Sequence, residues 1–316
     1  GAVGMGLIFL LPTLGLRGNW ERCEKRGHDF GYIFGYRILE NLPPSAIFFG
    51  GTDPGRFVPM YFINTPSVNG EPFHPDAYLI TQNALADQTY MKTLVDRYSP
   101  QSTVFSPDGD PTNDRTGWLA GLAKSRCMER RIWLPDRDEM TAAFAKLVED
   151  GRRTGRVPGG GGVELDATGK VNVTGVGAVM KINETLIQRI WEENKEGHEF
   201  FIEESYVIPW MYPYLTPYGL IMKLHAEPLE GGIPEDLIAQ DFAYWEELIE
   251  ELVARPEYHR DEMAPRTFAK LRSSMGGLYL YWANRLREGR MYEYAERALR
   301  ESLELYRPLP EANYRL

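Results

Sequence analysis

The residues whose side chains are best suited to bind a ligand form a polar turn after a short apolar run. The run ends at Gly50-Gly51, and Thr52, Asp53 and Arg56 follow directly. Glycine permits close backbone approach, a carboxylate can accept from sugar hydroxyls or hold a cation, and a guanidinium can bind phosphate or carboxylate. The alternative is an Asp-Pro-Gly turn closed by an Asp53–Arg56 ion pair. The spacing is neither GxGxxG nor Walker A, so no nucleotide is implied.

A second polar tip follows the next apolar run. Residues 76–80 predict a short strand, and Thr81, Gln82 and Asn83 come directly after it. Because neighbouring parallel strands end at one edge of a sheet, we expect both tips to line a shared crevice. Amide side chains there can recognise hydroxyl groups, or they can simply cap the following helix.

Four aromatic residues offer a further candidate surface. Trp210, Tyr212, Tyr214 and Tyr218 lie in one Pro-containing stretch. Tyr and Trp combine an apolar ring with a polar group, which suits a sugar platform or a protein contact. Packing in the core is the commonest explanation for such rings.

Other polar clusters are weaker candidates. The Asp-rich stretch 108–114 lacks the glycine and distal glutamate of an EF-hand, which favours a solvated loop. Glu203-Glu204 could form an acid/base pair, but adjacent strand residues point to opposite faces. Cys23 and Cys127 could pair or remain free thiols, and no His or Cys spacing is typical of a metal site. We therefore expect no catalytic residue and no metal site in this chain.

The hydrophobic pattern predicts an α/β fold with a small, mainly parallel sheet and flanking helices. Two strand–turn–helix units at 44–98 indicate neighbouring parallel strands, and 199–202 predicts a third strand. Residues 219–224 predict an edge strand. The glycine-rich stretch 151–162 is interpreted as a mobile loop, because it lacks the Gly-Lys-Ser/Thr of a P-loop. Helices are predicted at about 29–41, 85–98 and 138–148.

From about residue 234 the pattern is helical only. Leu278–Arg287 and Met291–Leu305 predict a helical hairpin around Gly289. Its small residues, its glycine at the turn and its proline at the exit resemble one tetratricopeptide unit. Since a stable array needs several units, this segment must pack on the α/β domain or continue beyond Leu316.

Composition and the N-terminal residues constrain the partners. The 316 residues are 43% hydrophobic and carry a net charge of −10, which disfavours a nucleic-acid partner. Residues 1–16 are uncharged; as a helix they would span about 24 Å, less than the roughly 30 Å hydrocarbon core. We interpret 1–16 as the end of a transmembrane helix, 17–228 as an extracytoplasmic α/β domain and 229–316 as the helical tetratricopeptide-like segment. The alternative for 1–16 is a buried strand or helix packed on the domain.

Several short motifs occur in a recognisable order. They are Asp29-Phe-Gly-Tyr32, Pro44-Ser-Ala-Ile-Phe-Phe49, Asp76-Ala-Tyr-Leu-Ile80, Asn83-Ala-Leu85 and the aromatic stretch Tyr212–Leu220. Together they resemble the region after the membrane helices in a bacterial membrane-protein family of unknown function, related to protein O-mannosyltransferases of the GT-C type. The turn at 50–56 has two carboxylates fewer than is typical of that family.

The resemblance implies an extracytoplasmic acceptor- or glycan-binding domain of a GT-C-like glycosyltransferase. The catalytic loop would lie outside these 316 residues, so the chain would act as an enzyme only together with a multi-helix membrane part. The donor would be a lipid-phosphate-linked sugar, and no other cofactor is expected. Expected partners are the membrane through the N-terminal helix, an acceptor protein or glycan, and proteins that bind the C-terminal helices. The location would be the bacterial membrane, with the soluble part in the periplasm or at the cell surface.

A hypothesis from another class remains open. The chain could be a non-catalytic interaction or scaffold subunit of a membrane or cell-surface assembly, which binds partners through its helical face. A third hypothesis is a stand-alone soluble enzyme that uses nucleotide sugars.

Overall fold

A computed structural model describes residues 12–20, 23–51, 53–66, 70, 72–99, 132–154, 162–165, 171–203 and 208–316. The strands are β1 (Ile47–Gly50), β2 (Tyr78–Thr81), β3 (Gly162–Leu165), β4 (Val171–Thr174), β5 (Phe200–Glu203), β6 (Leu215–Tyr218) and β7 (Ile221–Leu224). The helices are α1 (Phe30–Leu39), α2 (Asp53–Asn64), α3 (Gln88–Tyr98), α4 (Arg137–Thr154), α5 (Val176–Asn194), α6 (Glu235–Val253), α7 (Pro256–Arg260), α8 (Ala264–Leu286), α9 (Gly289–Leu305) and α10 (Pro310–Arg315).

The main sheet has five strands in the order β2-β1-β5-β7-β6, and β3 and β4 form a separate antiparallel hairpin. β1 pairs in parallel with β2 and with β5, so the neighbouring parallel strands expected from the two strand–turn–helix units are present. β7 is antiparallel to both of its neighbours. The sheet therefore has two parallel and two antiparallel pairings, and the prediction of a mainly parallel sheet was wrong because the turn before β7 reverses the chain. The fold is thus α/β, with a small sheet among many helices.

The predicted edge strand at 219–224 forms, but it does not lie at the edge. It corresponds to β7, which lies between β5 and β6. Gly219 has φ +62, and the turn there folds β6 back against β7. β6 contains Pro217, which has no N–H to donate to a ladder, so this strand suits the outermost position.

Helices cover both faces of the main sheet. Ile47 and Phe49 of β1 pack in one hydrophobic core with α3 and α5, whereas Phe48 packs in a second core with α1 and α6. Strands buried on both faces need continuous apolar sequence, which explains why β1, β2 and β5 lack an alternating pattern.

The predicted C-terminal hairpin forms and packs against the rest of the protein. α8 and α9 are its two helices, and a Cβ on Gly276 of α8 would lie 2.9 Å from Leu299 of α9. α8 contributes to both cores, with Phe268 in one and Trp282 in the other. Packing on the sheet therefore supplies the burial that a single helical hairpin lacks. The tetratricopeptide-like character remains a prediction.

The N-terminal residues are only partly described. Residues 12–20 are helical and exposed, including Leu14, Leu16 and Trp20. The described part of the predicted membrane-helix end is therefore not packed on the domain, and residues 1–11 lie outside the described ranges. None of the helices within those ranges is both long and apolar enough to cross a bilayer.

Several other expectations fall partly or wholly outside the described residues. α4 extends to Thr154 and β3 begins at Gly162, so both ends of the predicted glycine-rich loop belong to regular elements. The Asp-rich stretch 108–114 and Cys127 are not described. Cys23 is an exposed free thiol.

Candidate functional site

The carboxyl ends of three parallel strands meet at one edge of the sheet. Gly50, the last residue of β1, lies opposite Thr81 of β2 on one side and Glu203 of β5 on the other. The polar residues after β1 and β2 therefore share this edge, which we call the sheet edge. Thr52 lies outside the described residues.

The side chain of Glu203 occupies the centre of the sheet edge. It is 1% exposed, and its Oε2 accepts a hydrogen bond from the backbone N–H of Gly51 at 3.0 Å. A Cβ on Gly55, in the first turn of α2, would lie 1.9 Å from the same oxygen. The carboxylate thus lies against the N-terminus of α2, where the helix dipole stabilises negative charge.

Two glycines allow strand β1 and helix α2 to touch through their backbones. A Cβ on Gly50 would lie 2.6 Å from the carbonyl oxygen of Gly55 and 3.2 Å from the Cα of Arg56. A side chain at either glycine would collide with the other element or with Glu203. The glycines of the turn therefore serve close packing within the protein.

Asn83 ties the ends of β1 and β2 together. The side-chain Nδ2 of Asn83 donates to the carbonyl oxygen of Gly51 at 3.0 Å. The main-chain carbonyl oxygen of Asn83 accepts from Nδ2 of Asn183 in α5 at 3.0 Å. Asn183 is buried, and its Oδ1 accepts from the N–H of Ala86 at 2.7 Å. This amide network holds the end of β2 in place against α5.

Thr81 and Gln82 are both buried at the same edge. The N-cap of α3 is Asp87, whose carboxylate accepts from the N–H groups of Thr89 and Tyr90. Asp87 therefore caps α3, and Thr81, Gln82 and Asn83 do not.

Tyr90 of α3 faces the strand ends. Its hydroxyl oxygen accepts from the N–H of Thr81 at 2.7 Å. Burial raises the pKa of Tyr90, while the hydrogen bond from Thr81 and the positive charge of Arg56 partly oppose that rise. The hydroxyl stays neutral in the physiological range, and the guanidinium of Arg56 is close enough to act on it.

Among the described residues, Asp53 and Arg56 place charged side chains at the surface of the sheet edge. They form an ion pair with 3.4 Å between Asp53 Oδ1 and Arg56 Nη2, as in the alternative interpretation of the turn. The side chain of Asp53 is 81% exposed and that of Arg56 is 28% exposed. The guanidinium also lies 4.1 Å above the ring centroid of Phe57. An exposed pair of this kind is weakly held, so a ligand can compete for both partners.

The four aromatic residues do not form one platform. Trp210, Tyr212 and Tyr214 pack against the core that contains α5, whereas Tyr218 packs against the other core. Trp210 lies 5.2 Å from Trp191, centroid to centroid. The hypothesis of a shared sugar or protein surface fails for the set of four because the sheet separates Tyr218 from the rest.

Sequence reasoning gave too little weight to three residues at this site. Glu203 follows a predicted strand, as the two polar tips do, and the same argument applied to β5 would have selected it. Tyr90 and Asn183 give no such signal, because each lies on an amphipathic helix and faces the strand ends only in the folded protein.

The described residues contain no group of three His, Cys, Asp or Glu side chains arranged to hold a metal ion. No protein-family model, curated protein or solved structure matches the chain. The sheet edge is therefore interpreted from its own chemistry.

Proposed function

We propose that this chain is the extracytoplasmic acceptor- or glycan-binding domain of a GT-C-like membrane glycosyltransferase. On this proposal, the catalytic loop and the site for the lipid-phosphate-linked donor belong to a membrane part outside these 316 residues. The order of the sequence motifs supports the class of protein. The geometry of the sheet edge supports the binding role.

The observation that carries the binding role is the position of the Glu203 carboxylate. The N-terminus of a helix at the carboxyl edge of a parallel sheet is a common site for phosphate, because its N–H groups and dipole favour an anion. Here Glu203 contacts Gly51 N and Gly55 at that position. Because the Glu203 side chain already fills that position, a phosphate would have to displace it, which argues against the hypothesis of a nucleotide-sugar enzyme. A neutral polyhydroxyl ligand at the exposed side chains does not need this position.

The exposed side chains at the edge suit such a ligand. The Asp53 carboxylate can accept two hydrogen bonds from neighbouring sugar hydroxyls, and Arg56 can donate to ring or hydroxyl oxygens. The 3.4 Å contact between the two side chains keeps donor and acceptor together before a ligand arrives.

Replacement of Asp53 tests this role. We expect Asp53→Ala to weaken binding of neutral oligosaccharides about tenfold or more, since a hydrogen bond to a charged group contributes about 1.5–3 kcal/mol. An array of neutral glycans would identify the probe, and titration calorimetry would measure its affinity. The matched control is Asp236→Ala, because Asp236 is also an exposed aspartate in the first turn of a helix. Equal affinity of the Asp53 variant and the wild type, or no glycan bound by the wild type, would refute the role.

The class of protein needs a different measurement. Intact mass and membrane topology in the native host would show what precedes residue 1. Many membrane helices upstream support the transferase, whereas a lone anchor supports a scaffold.

One feature favours the alternative function, a non-catalytic scaffold. A groove of about 440 Å³ lies between α6 and α9. It is lined by Glu246, Ile249, Glu250, Val253, Ala254, Glu301 and Glu304. Carboxylates around an apolar floor suit a basic amphipathic peptide. If the scaffold function holds, the double variant Glu250→Gln and Glu304→Gln should weaken binding of a Lys-rich helical peptide. The control Asp53→Ala should not change this binding. Equal binding by the double variant and the wild type would count against the scaffold function.

A further inference from the structure

An exposed aromatic surface covers the outer side of α1 and α2. The six rings that we call the aromatic face are the exposed Tyr32, Tyr36, Phe57 and Tyr61 and the half-buried Phe62 and Phe73 beneath them. Tyr32 and Tyr61 are 60% and 65% exposed. Rings within the face contact one another, with 6.0 Å between the centroids of Tyr32 and Tyr36 and 5.2 Å between those of Tyr36 and Phe73. Large exposed rings in contact with one another are uncommon on a soluble surface and indicate an interaction site.

None of the six rings carries a charge, and among the described residues a charged group borders the aromatic face where Arg56 lies over Phe57. The sequence from Phe57 to Gly70 contains no charged residue, while the whole chain has a net charge of −10. Three of the six rings are tyrosines, which combine an apolar ring with a hydroxyl. Tyr and Trp with this amphipathic character are enriched where proteins meet the headgroup region of a bilayer.

An uncharged segment lies nearer the N-terminus, separated from the aromatic face by residues 21–29, six of which are charged. Residues 1–16 carry no charge, and Leu14, Leu16 and Trp20 are exposed on the helical residues 12–20. Nine residues, 21–29, separate Trp20 from the start of α1. They can span at most about 35 Å. If the N-terminal segment enters a bilayer, α1 therefore remains within reach of its surface.

We propose that the aromatic face lies on the membrane, with its rings among the headgroups of zwitterionic lipids. The N-terminal segment tethers the domain, and the aromatic face sets its orientation. Zwitterionic lipid is the expected partner because aromatic rings gain little from anionic headgroups, and such headgroups would repel the rest of an acidic protein surface. This inference does not depend on the ligand proposed for the sheet edge.

The proposed contact would also determine where the sheet edge lies. Asp53, Phe57 and Tyr61 follow one another at i, i+4 and i+8 on α2, and all three are exposed. Residues at this spacing share one side of a helix. With Phe57 and Tyr61 in the interface, Asp53 would lie next to the headgroups.

A fluorescent label at Tyr61 tests the contact in the full chain. Cys23→Ser and Cys127→Ser remove the native thiols, and Tyr61→Cys then carries an environment-sensitive dye. With phosphatidylcholine vesicles we expect its emission to rise several-fold and to shift to the blue, with a smaller rise on vesicles that contain phosphatidylglycerol. The matched control is Tyr292→Cys, because Tyr292 is an exposed tyrosine of α9, far along the chain from the aromatic face. Its label should not respond.

Each contrary outcome is distinct. Flotation of the protein with vesicles without a response at position 61 would mean that the N-terminal segment alone makes the contact, and the inference would be wrong. The inference would also be wrong if the protein does not bind vesicles, or if the label responds to protein concentration without lipid, which would indicate a second copy of the chain. The label response is measured without any glycan, so failure of the sheet-edge proposal remains separate.

Discussion

Buried charge is balanced differently in the helical segment and at the sheet edge. In the helical segment, the fully buried Arg272 donates to Asp241 at 2.6 Å and to Glu301 at 2.7 Å, and the hydroxyl of Tyr279 also donates to Asp241 at 2.6 Å. At the sheet edge, the buried Glu203 receives its hydrogen bond from the backbone of Gly51. The first region surrounds its buried charge with charged side chains from three helices, and the second places its carboxylate against the start of a helix.

This difference separates a structural site from the proposed binding site. In the helical segment the charged groups are sequestered, and the guanidinium of Arg272 is also covered by the rings of Phe242 and Trp245. At the sheet edge the carboxylate of Glu203 contacts the backbone of Gly51, and Asp53 and Arg56 lie at the surface with a weak mutual contact. The helical network is expected to serve stability, whereas the edge has charged groups available for a ligand.

The largest expected effect follows from removal of the buried cation. Arg272→Met leaves Asp241 and Glu301 without their partner in the core, and we expect a loss of about 3–5 kcal/mol in the free energy of unfolding. Urea unfolding measures this loss. The control Arg300→Met removes an exposed arginine that pairs with Glu296, and it should change stability by less than about 0.5 kcal/mol. Similar effects of the two substitutions would remove the contrast between the regions.

A smaller loss is expected from a methyl group at the sheet edge. Gly55→Ala directs a Cβ to within 1.9 Å of Glu203 Oε2, and overpacking of this kind costs about 1–3 kcal/mol. The matched substitution Gly31→Ala lies in α1, where a Cβ meets nothing within 4 Å. It should stabilise the protein by about 0.5–1 kcal/mol, because alanine favours the helix. Thermal and urea unfolding compare the two.

A double-mutant cycle identifies the cause of that loss. If the clash with Glu203 is responsible, Gly55→Ala should cost much less in a Glu203→Ala background than in the wild type. An equal cost in both backgrounds would show that the carboxylate does not occupy the N-terminus of α2.

The smallest effect concerns Asp261, whose carboxylate contacts both a side chain and backbone N–H groups. Asp261 accepts from the N–H groups of Met263 and Ala264 at the start of α8, and its Oδ2 lies 2.9 Å from Nδ1 of His28. Burial alone would raise the pKa of Asp261, but the contact with His28 and the two N–H groups lower it below its ordinary value. Asparagine can still accept from the two N–H groups, so Asp261→Asn removes the charge alone and should cost about 0.5–1 kcal/mol at pH 5.

The pH dependence of that cost follows from the direction of the pKa shift. A carboxyl group whose pKa is lowered by folding contributes stability above its unfolded pKa of about 3.9 and loses it as pH falls through the folded value. The difference in unfolding free energy between the wild type and Asp261→Asn should therefore shrink from pH 5 toward about pH 2. A difference that grows on acidification would contradict the assigned contacts.

Local sequence correctly predicted the strands β1 and β2 that end at the sheet edge. The apolar run before Gly50-Gly51 and the one before Thr81 each indicated a buried strand, and their parallel pairing followed from the helix between them. The hairpin of α8 and α9 was likewise visible from its apolar spacing. In each of these cases the signal comes from residues that are close in the chain.

Longer-range features could not be predicted in the same way. β7 was expected at the edge, but the turn at Gly219 adds β6 outside it. Trp210 and Tyr218 are close in sequence, yet the sheet lies between their packing sites. Which strand pairs with which, and which face covers a ring, depends on contacts between distant segments.

The amino-acid sequence alone determined which residues form buried strands and where polar groups follow them, because burial and turn formation are encoded by neighbouring residues. Only the tertiary structure decided that Glu203 fills the N-terminus of α2. That contact requires β5 to pair beside β1, about 150 residues earlier in the chain, and glycine at positions 50 and 55 to let the backbones meet. The difference arises because strand formation is local, whereas strand pairing depends on the free energy of the whole fold.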